Sequence, residues 1–471
     1  MPQRVTGGCL PSHGDERMVF AMGAICEDRL TAKEAKCWPS SIKTVDKTLG
    51  LDCITVQYYA HNNSYFHLES LFTMLSSIVG IVAGASLALA SPVNILEPRA
   101  TNYTNFALSA SQSLNNNWYS SNSGLWDNAW WNSGNALTTL SDFGRLRPSE
   151  ADSIRLKDLI QNTFVQAQRA NVFVSKSVQR NGMMVSKTCV NNHGTCKQKR
   201  DYLEKRMFPN FLNNYYDDEG WWALGLIHAY DYTGKQDYLN AAVRIFQDMQ
   251  TGTGGPCHGG IYWSKDRTYV NAIANELYLS VAASLANRIP SDKTHYVNIA
   301  TNQWNWFLNS GMINGENLIN DGLNDQCQNN GGLTWSYNQG VVLGGLAELW
   351  RATGNGDYLQ RASTIANAAI KKLSDSNGVL VEVNKCEFDS SRCGADGQQF
   401  KGVFIRNLRY LHQVAPNPEY KNFITRNADA IWNKDRSDAK LGVSWDGPYF
   451  DATGNTQSSA LDALVAAVAV A

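Results

Sequence analysis

Charge is scarce in this chain of 471 residues: Asp, Glu, Lys and Arg together make up 18% of it, and the formal net charge is −1. Such a near-neutral balance gives neither the electrostatic footprint of a nucleic-acid-binding protein nor a basic patch for a membrane surface. We therefore expect no nucleic-acid partner. The length would hold two or three average domains, or one large helical barrel.

Signatures of metal, phosphate and serine chemistry are also missing. Only five histidines follow residue 90, and none stands in an H-E-x-x-H arrangement. The sequence contains no glycine-rich phosphate loop and no nucleophile elbow around a serine. We therefore expect no metal and no cofactor.

Long hydrophobic runs are missing as well. The apolar run over residues 78–89 is short for a membrane span, which needs about 20 residues, and the triplet Ala88-Leu89-Ala90 has the A-x-A form of a cleavage site. This combination is typical of a secretory signal peptide. We predict a signal peptide over 74–90, a non-native or removed extension over 1–73, and one domain over 91–471 with no stable membrane span. The positively charged leader expected ahead of the run is missing, so a signal anchor is the alternative.

Cysteine usage fits export. Four of the ten cysteines precede the apolar run and six follow it, an even number, as a disulfide-bearing secreted domain requires. Two of the three pairs are close in sequence, and the predicted bridges are Cys189–Cys196, Cys386–Cys393 and, by what remains, Cys257–Cys327. Zinc at the first pair, with His193 between the cysteines, is the weaker alternative. The sequon Asn102-Tyr103-Thr104 also suits a secreted, glycosylated chain.

The pattern beyond residue 102 is helical and repetitive. A helix of small and apolar residues, a short polar turn and an amphipathic helix form a unit at 221–250, which returns at 341–372 with weaker copies elsewhere. Such hairpins must stack to bury their apolar faces. The last helix has no partner after it and the first has none before it. Pairing these two predicts an all-α fold, an (α/α)6 barrel of six inner and six outer helices; an open solenoid is the alternative.

Aromatic residues are abundant, with 14 Trp, 20 Tyr and 16 Phe, and the loops that lead into the inner helices combine them with acids, amides and glycines. Rings and amides together suit a sugar, whose C–H face stacks on rings while its hydroxyls form hydrogen bonds. Asp217-Asp218-Glu219 is the one acidic cluster in these loops. Glycoside hydrolysis needs two carboxyl groups, one of which must hold a proton. Helix capping is the competing interpretation, but two aspartates among Tyr215, Tyr216, Trp221 and Trp222 favour catalysis.

Three blocks of sequence carry a family resemblance. Tyr-Tyr-Asp-Asp-Glu-Gly-Trp-Trp-Ala-Leu at 215–224 resembles the signature of glycoside hydrolase family 76, the endo-α-1,6-mannanases with fungal-type members. Gly-Gly-Ile-Tyr-Trp-Ser at 259–264, followed by Asn-Ala-Ile-Ala-Asn-Glu-Leu at 271–277, resembles a second family block, and Trp-Ser-Tyr-Asn-Gln-Gly at 335–340 a third. The resemblance implies an (α/α)6 fold and a secreted, retaining hydrolase of α-1,6-linked mannose. It also implies that Asp217 is the nucleophile and Asp218 the acid/base.

Further residues in these loops are candidate contacts for a polysaccharide substrate. The predicted substrate-binding set is Trp130, Trp131, Tyr216, Trp222, Trp263, Asn275, Tyr337 and Gln339. Glu276 is either a buried, paired acid or a substrate contact, and Lys401 and Arg406 either line the cleft or pair with the two aspartates. We expect Glu219 to be a helix acid rather than a catalyst.

Two other functions remain open at this point. Some fungal-type relatives act on the mannose core of glycolipid anchors and transfer it to the cell wall, which would place the protein at the wall. A non-catalytic carbohydrate-binding protein could share the fold, although the presence of both acids argues against it. We expect a monomer that is extracellular or associated with the cell wall.

Overall fold

The computed structural model describes residues 41–46, 55–59, 97–178, 184–190, 193–194, 208–255, 257–388 and 393–471. The chain divides into two units, Met1–Val93 and Asn94–Ala471. In the first unit, β1 (Ser41–Asp46) pairs with β2 (Thr55–Tyr59) in antiparallel register. The predicted signal peptide over 74–90 lies outside the described residues, so the assignment of 1–90 stays a prediction.

The second unit is built from helices joined by short turns. In chain order they are α1 (Glu97–Trp118), α2 (Trp130–Leu146), α3 (Pro148–Ser153), α4 (Leu156–Arg169), α5 (Tyr216–Thr233), α6 (Gln236–Gln250), α7 (Ala272–Arg288), α8 (Lys293–Asn309), α9 (Ser336–Thr353), α10 (Asp357–Lys372), α11 (Gly394–Val414), α12 (Pro418–Lys434) and α13 (Gly454–Val470). Within the described residues, no helix has both the length and the apolar character needed to cross a membrane.

Six of these helices form an inner ring and six pack outside it, as predicted, and the short helix α3 leads into the outer helix α4. The inner helices are α2, α5, α7, α9, α11 and α13, and each packs against the next around the ring. The last inner helix, α13, packs against α1, α2 and α11, so the ring closes on itself. The fold is therefore an (α/α)6 barrel, and the open solenoid is excluded.

The burial patterns explain which helix takes which place. All residues of α7 from Ala272 to Ala286 are buried, because this helix is surrounded by others. The outer helix α6 instead buries residues such as Tyr238, Ala242 and Ile245 at helical spacing and exposes its opposite face. The repeated turns end their inner helices on Gly234 and Gly354, whose φ values of 71° and 75° favour glycine.

The cysteine predictions are confirmed where the structure describes both partners. Cys257 bonds to Cys327 and Cys386 bonds to Cys393. Cys189 is also disulfide-bonded, and its predicted partner, Cys196, lies outside the described residues. Because Cys386 and Cys393 are oxidised, the group that they form with Glu387 offers no thiolate to a metal.

One element departs from the helical pattern. Between α4 and α5 the chain forms a three-stranded antiparallel sheet of β5 (Val172–Val178), β6 (Met184–Val190) and β7 (His193–Gly194). The sequence pattern predicted no strands here. Its strand β6 packs against α11, so the sheet lies at the end of the barrel where the inner helices begin. Two short hairpins complete the strands, β3 (Tyr119–Ser120) with β4 (Leu125–Trp126) and β8 (Arg436–Ser437) with β9 (Lys440–Leu441).

Candidate active site

The N-terminal ends of the inner helices surround a cavity of about 230 Å3. We call it the acidic cavity, because three aspartates line it and Lys176 is the only cation among its described lining residues. The lining residues are Trp131, Lys176, Asp217, Trp221, Trp263, Tyr269, Asn271, Asp321, Gly332, Leu333, Trp335, Tyr337, Asp396 and Phe400. Some of these residues lie in the loops and first turns predicted to form the site, such as Trp131, Asp217, Trp263 and Tyr337; others come from strand β5 and from segments for which no role was predicted.

Asp217 lies in the first turn of α5. The helix is preceded by Tyr215 in an extended conformation, and no side chain caps it, so neither aspartate acts as the N-cap. The Asp217 side chain is 9% exposed, and its Oδ2 accepts a hydrogen bond from Lys176 Nζ at 2.8 Å. Its Oδ1 is buried and has no hydrogen-bond partner among the described residues. One carboxylate oxygen is therefore held by the lysine, while the other is buried without a polar partner among the described residues.

Asp218 is completely buried behind Asp217. Its Oδ1 accepts from Lys176 Nζ at 2.7 Å and its Oδ2 from Asn213 Nδ2 at 2.6 Å. Burial raises the pKa of Asp218 to about 7; the Lys176 ammonium opposes this rise, and the charge of Asp217 adds to it. Near neutral pH this carboxyl group can therefore hold a proton, as a general acid must.

The two carboxyl groups are close enough to act on one bond. One oxygen of each lies within hydrogen-bond distance of the same lysine nitrogen, which limits the separation of these two oxygens to about 5.5 Å. A retaining glycosidase needs its two carboxyl groups about 5–5.5 Å apart, whereas an inverting one needs roughly 6.5–9.5 Å. The geometry fits the retaining arrangement.

Lys176 is a site residue that the sequence analysis missed. It lies on β5, its side chain is 4% exposed, and its ammonium lies 4.6 Å from the Tyr215 ring centre and 5.3 Å from that of Trp263. Burial lowers the pKa of Lys176, but the charges of Asp217 and Asp218 outweigh it and the net pKa is raised. The signal was present in the strand: Val172 and Val174 point inward, and the alternation puts Lys176 on the same face.

Two further acids of the cavity were also missed, because they lie in segments without a motif. Asp321 accepts a hydrogen bond from the Tyr269 hydroxyl at 2.5 Å, and Asp396 accepts one from Trp131 Nε1 at 2.8 Å. Burial raises the pKa of each; the hydrogen bond from Tyr269 opposes the rise at Asp321, and the Lys176 charge opposes it at Asp396.

Three of the predicted substrate contacts line the acidic cavity: Trp131, Trp263 and Tyr337. Trp131 stacks on Trp221, with ring centres 5.7 Å apart, and Tyr337 stacks on Phe400 at 3.9 Å. These rings offer flat apolar faces beside the carboxylates, which is the arrangement that a sugar ring requires.

The other five predicted contacts do not line the cavity. Trp130 and Trp222 are completely buried and pack on each other with ring centres 4.9 Å apart. The Tyr216 hydroxyl pairs with Thr251 outside the cavity. The remaining two are structural amides: Asn275 bonds to the backbone of Ile261, and Gln339 to the backbone of Ile319, so each fixes a loop.

Three of the four charged residues near the helix starts have structural partners, and the fourth, Glu276, is buried without one among the described residues. Glu219 accepts hydrogen bonds from Lys265 Nζ at 2.7 Å and from the Asn213 backbone at 3.2 Å, which supports the loop that holds Asp218. Neither Lys401 nor Arg406 pairs with the two aspartates: Lys401 pairs with Glu387, and Arg406 pairs with Asp462. Glu276 is completely buried, and its carboxyl oxygens have no hydrogen-bond partner among the described residues.

Comparison with known proteins matches this chain to one family along the whole helical unit. Residues 99–470 match glycosyl hydrolase family 76. Mannan endo-1,6-alpha-mannosidase DFG5 of Candida albicans is 27% identical over 369 residues, which are 72% of each chain. The Saccharomyces cerevisiae protein of the same name is 27% identical over 42% of this chain and 46% of its own length.

Solved structures share the fold at lower sequence identity. An inactive variant of the alpha-1,6-mannanase of Salegentibacter sp. HEL1_6, with two consecutive aspartates replaced and alpha-1,6-mannotetrose bound, is 20% identical with a TM-score of 0.61. The structural match covers 78% of this chain and 99% of the mannanase chain. Dfg5 of Chaetomium thermophilum in complex with glucosamine is 18% identical with a TM-score of 0.61, over 81% of this chain and 92% of that one.

Proposed function

This chain belongs to glycosyl hydrolase family 76, and on that premise we propose that it hydrolyses α-1,6-mannosidic linkages of mannan with retention of configuration. The observation that carries the proposal is the pair Asp217 and Asp218, bridged at a separation that suits a retaining mechanism. The names of the relatives support the choice of substrate.

In the first step, Asp217 is the nucleophile and Asp218 the general acid. The carboxylate of Asp217 attacks the anomeric carbon of mannose as the bond from that carbon to the glycosidic oxygen breaks. Asp218 gives its proton to the departing oxygen, so the leaving sugar departs as a neutral alcohol. The raised pKa of Asp218 supports this division of roles, because the acid must still hold its proton near neutral pH.

In the second step, water hydrolyses the covalent bond between the anomeric carbon and Asp217. Asp218, now ionised, takes a proton from the water as its oxygen attacks, and the bond to Asp217 breaks. Two inversions give net retention, and both carboxyl groups return to their starting protonation states. Trp131, Trp263 and Tyr337 are proposed to stack on the mannose rings beside the carboxylates.

The proposal is tested by incubating the purified protein with unbranched α-1,6-mannan and following the products by mass spectrometry. We expect oligomannosides from the parent and almost none from Asp217→Asn or Asp218→Asn. Full activity in both variants would refute the assignment of the pair. A parent that binds mannan without cleaving it would instead favour the transfer reaction considered next, or a binding protein.

Transfer onto cell-wall glycan is a second candidate, favoured by the charge of the acidic cavity. Asp217, Asp321 and Asp396 line it, and its single described lining cation is Lys176. Such a cavity suits a glycan in which an ammonium group accompanies mannose, and a family fold with bound glucosamine is consistent with such a substrate. The mannose core of a glycolipid anchor is the proposed donor in this case. In that reaction an acceptor hydroxyl takes the place of water in the second step. Secretion through the 74–90 segment is part of both proposals.

A further inference from the structure

The Lys176 ammonium occupies the position where a scissile bond has to lie. In a retaining enzyme the nucleophile reaches the anomeric carbon and the acid reaches the glycosidic oxygen, so the bond between these atoms lies between the two carboxyl groups. Lys176 Nζ lies between them here, 2.8 Å from Asp217 Oδ2 and 2.7 Å from Asp218 Oδ1. A sugar and this ammonium cannot share the space.

Lys176 also separates the acid from the cavity. Asp218 is fully buried and does not line the cavity, whereas Lys176 does. Both oxygens of Asp218 are engaged, one with Lys176 and one with Asn213. In this arrangement Asp218 cannot approach a glycosidic oxygen.

The size of the cavity agrees with an occupied site. Its volume is about 230 Å3, whereas ligand pockets commonly measure about 300–1,000 Å3. Withdrawal of the four-carbon lysine side chain would enlarge the cavity and extend it to Asp218.

The lysine is carried by an element outside the helical ring. Strand β5 belongs to the sheet inserted between α4 and α5, and the Lys176 backbone N–H donates to the Tyr215 hydroxyl at 3.3 Å. The side chain lies near the rings of Tyr215 and Trp263. Movement of this side chain therefore need not disturb the inner helices that position Asp217 and Asp218.

We infer that Lys176 is an intramolecular gate: its ammonium closes the carboxylate pair in the free enzyme and leaves that position when the substrate binds. This inference rests on the proposed function of Asp217 and Asp218. It assigns to the inserted sheet the role of competing with the substrate for the catalytic carboxylates.

Withdrawal of the lysine also changes the protonation of the pair. The groups that face Asp218 are Asp217 on α5, Lys176 on β5 and Asn213 in the preceding loop, and Asp396 on α11 adds its charge near Lys176. The ammonium opposes the rise in the pKa of Asp218, so its departure raises that pKa further. The substrate thus meets an acid that holds its proton more firmly than in the free enzyme.

Steady-state kinetics on an α-1,6-linked mannotetraose, over a range of pH, test the gate. For Lys176→Met we expect kcat/KM to rise about tenfold or more, because substrate no longer displaces a hydrogen bond between charged groups. The alkaline limb of kcat/KM, which reports the free enzyme, should move to higher pH, while that of kcat stays in place. Lys187→Met, an exposed lysine on β6 of the same sheet, is the matched control and should change neither.

Carboxyl labelling with a carbodiimide and an amine, read by mass spectrometry, tests the gate without any substrate. We expect Lys176→Met and Lys176→Gln to increase labelling of Asp217 and Asp218 strongly, while Lys187→Met labels like the parent. The buried pair Asp142 and Asp462, which lies away from the cavity, reports whether the fold is intact and should stay unlabelled in every variant.

The outcomes separate the gate from the function on which it rests. A parent that hydrolyses mannan, with slower hydrolysis and unchanged labelling in Lys176→Met, would overturn the gate and leave the proposed function standing. If the Lys176 variants show increased labelling of Asp217 and Asp218 but neither they nor the parent cleave mannan, the closed position of Lys176 would be supported. The same result would count against the proposed substrate. Loss of kcat with a shifted kcat limb would mean that Lys176 holds the pair during catalysis, which also overturns the gate.

Discussion

The two ends of the helical barrel carry charge in different ways. At the end where the inner helices begin, Asp217, Asp321 and Asp396 line a cavity with one described lysine, and Asp218 is buried behind that lysine. At the opposite end a second cavity, of about 430 Å3, is lined by arginines. Four arginines are among its lining residues, and each has an acidic partner: Arg145 pairs with Asp142, Arg288 with Asp231 and Glu348, Arg351 with Glu348, and Arg406 with Asp462. Asp142 also pairs with Arg409, which does not line the cavity.

Both distributions follow the helix dipole, which favours acids near helix N-termini and cations near C-termini. The ends differ in how well the charges are matched. At the arginine-rich end each of these carboxylates has a cationic partner that joins two inner helices, an arrangement that stabilises the fold. Among the described residues that line the acidic cavity, three aspartates face one cation, and burial raises the pKa of Asp321 and Asp396 as well as that of Asp218 behind them. Unmatched charge at one end of a rigid ring is characteristic of a site built for chemistry.

The largest expected difference between the ends is in catalysis. Asp218→Asn should lower kcat by about 10²- to 10⁴-fold, because it removes the proton donor. Asp231→Asn, at the arginine-rich end, should leave kcat of the folded enzyme unchanged. The check is initial-rate hydrolysis of α-1,6-mannan by both variants, with the folded fraction measured by circular dichroism. Equal losses in both would mean that the acidic end has no special role.

The free energy of unfolding should depend more on the arginine-rich end than on the acidic end. Arg288→Met leaves the carboxylates of Asp231 and Glu348 without their shared arginine, and breaking a buried pair costs about 3–5 kcal/mol. Urea unfolding gives the free energy directly. A loss below about 1 kcal/mol would show that the network contributes little.

The substitutions Glu276→Gln and Glu348→Gln should change the free energy of unfolding in opposite directions as the pH rises. Burial raises the pKa of Glu276 well above its ordinary value of 4.5, and the charge of Asp321 adds to the rise. Stability from Glu276 is therefore full below pH 4.5 and is lost as the pH rises through the folded-state pKa, so Glu276→Gln should gain on the parent as pH rises. For Glu348, burial raises the pKa but the charges of Arg288 and Arg351 outweigh it, and the net pKa is lowered.

Glu348 consequently stabilises the fold above pH 4.5, and this contribution is lost as the pH falls through its lowered pKa. Glu348→Gln should destabilise by about 1–3 kcal/mol at neutral pH and less in acid. Urea midpoints from pH 3 to pH 8 compare both variants with the parent. Parallel curves for the two variants would contradict the difference between the ends.

The smallest effect is expected at the rim of the arginine-rich end. The Arg351 side chain is 33% exposed, and its partner Glu348 keeps Arg288 as a second cation. Arg351→Gln should therefore cost less than about 1 kcal/mol. Unfolding in urea beside Arg288→Met gives the comparison, and equal losses would show that exposure does not weaken these pairs.

The sequence predicted the barrel because its repeats are local. Gly234 and Gly354 end corresponding helices, and the unpartnered first and last helices pack together as expected. It also singled out the aspartate pair as the catalytic candidates, since two acids among four rings are unusual, and this assignment stays a prediction. It did not predict which rings face the cavity. Neighbouring residues on a helix point about 100° apart, so Trp131 reaches the cavity while Trp130 enters the core, and only the packing decides this.

The position of Lys176 on the inserted sheet could not be predicted from the sequence, for another reason. Lys176 reaches the aspartates through a tertiary contact between residues about 40 positions apart, and the sequence around Lys176 contains no pattern that indicates this contact. Asp321 and Asp396 reach the cavity in the same way, from a loop and from the start of α11. Asn275 and Gln339 show the opposite case. Both were predicted to contact the substrate because they lie within the motifs, but their amides hold loops in place and do not face the cavity.

Rescue by azide, with an aryl α-1,6-mannobioside as substrate, tests the roles of the two carboxyl groups most directly. If Asp217 is the nucleophile and Asp218 the acid/base, azide should give an α-mannobiosyl azide with Asp218→Ala, because the covalent intermediate still forms. It should give the β-azide with Asp217→Ala, because azide then attacks in place of the carboxylate. Anomers assigned by NMR in that order would support the account. The reverse order, or hydrolysis at the parental rate in either variant without azide, would contradict it.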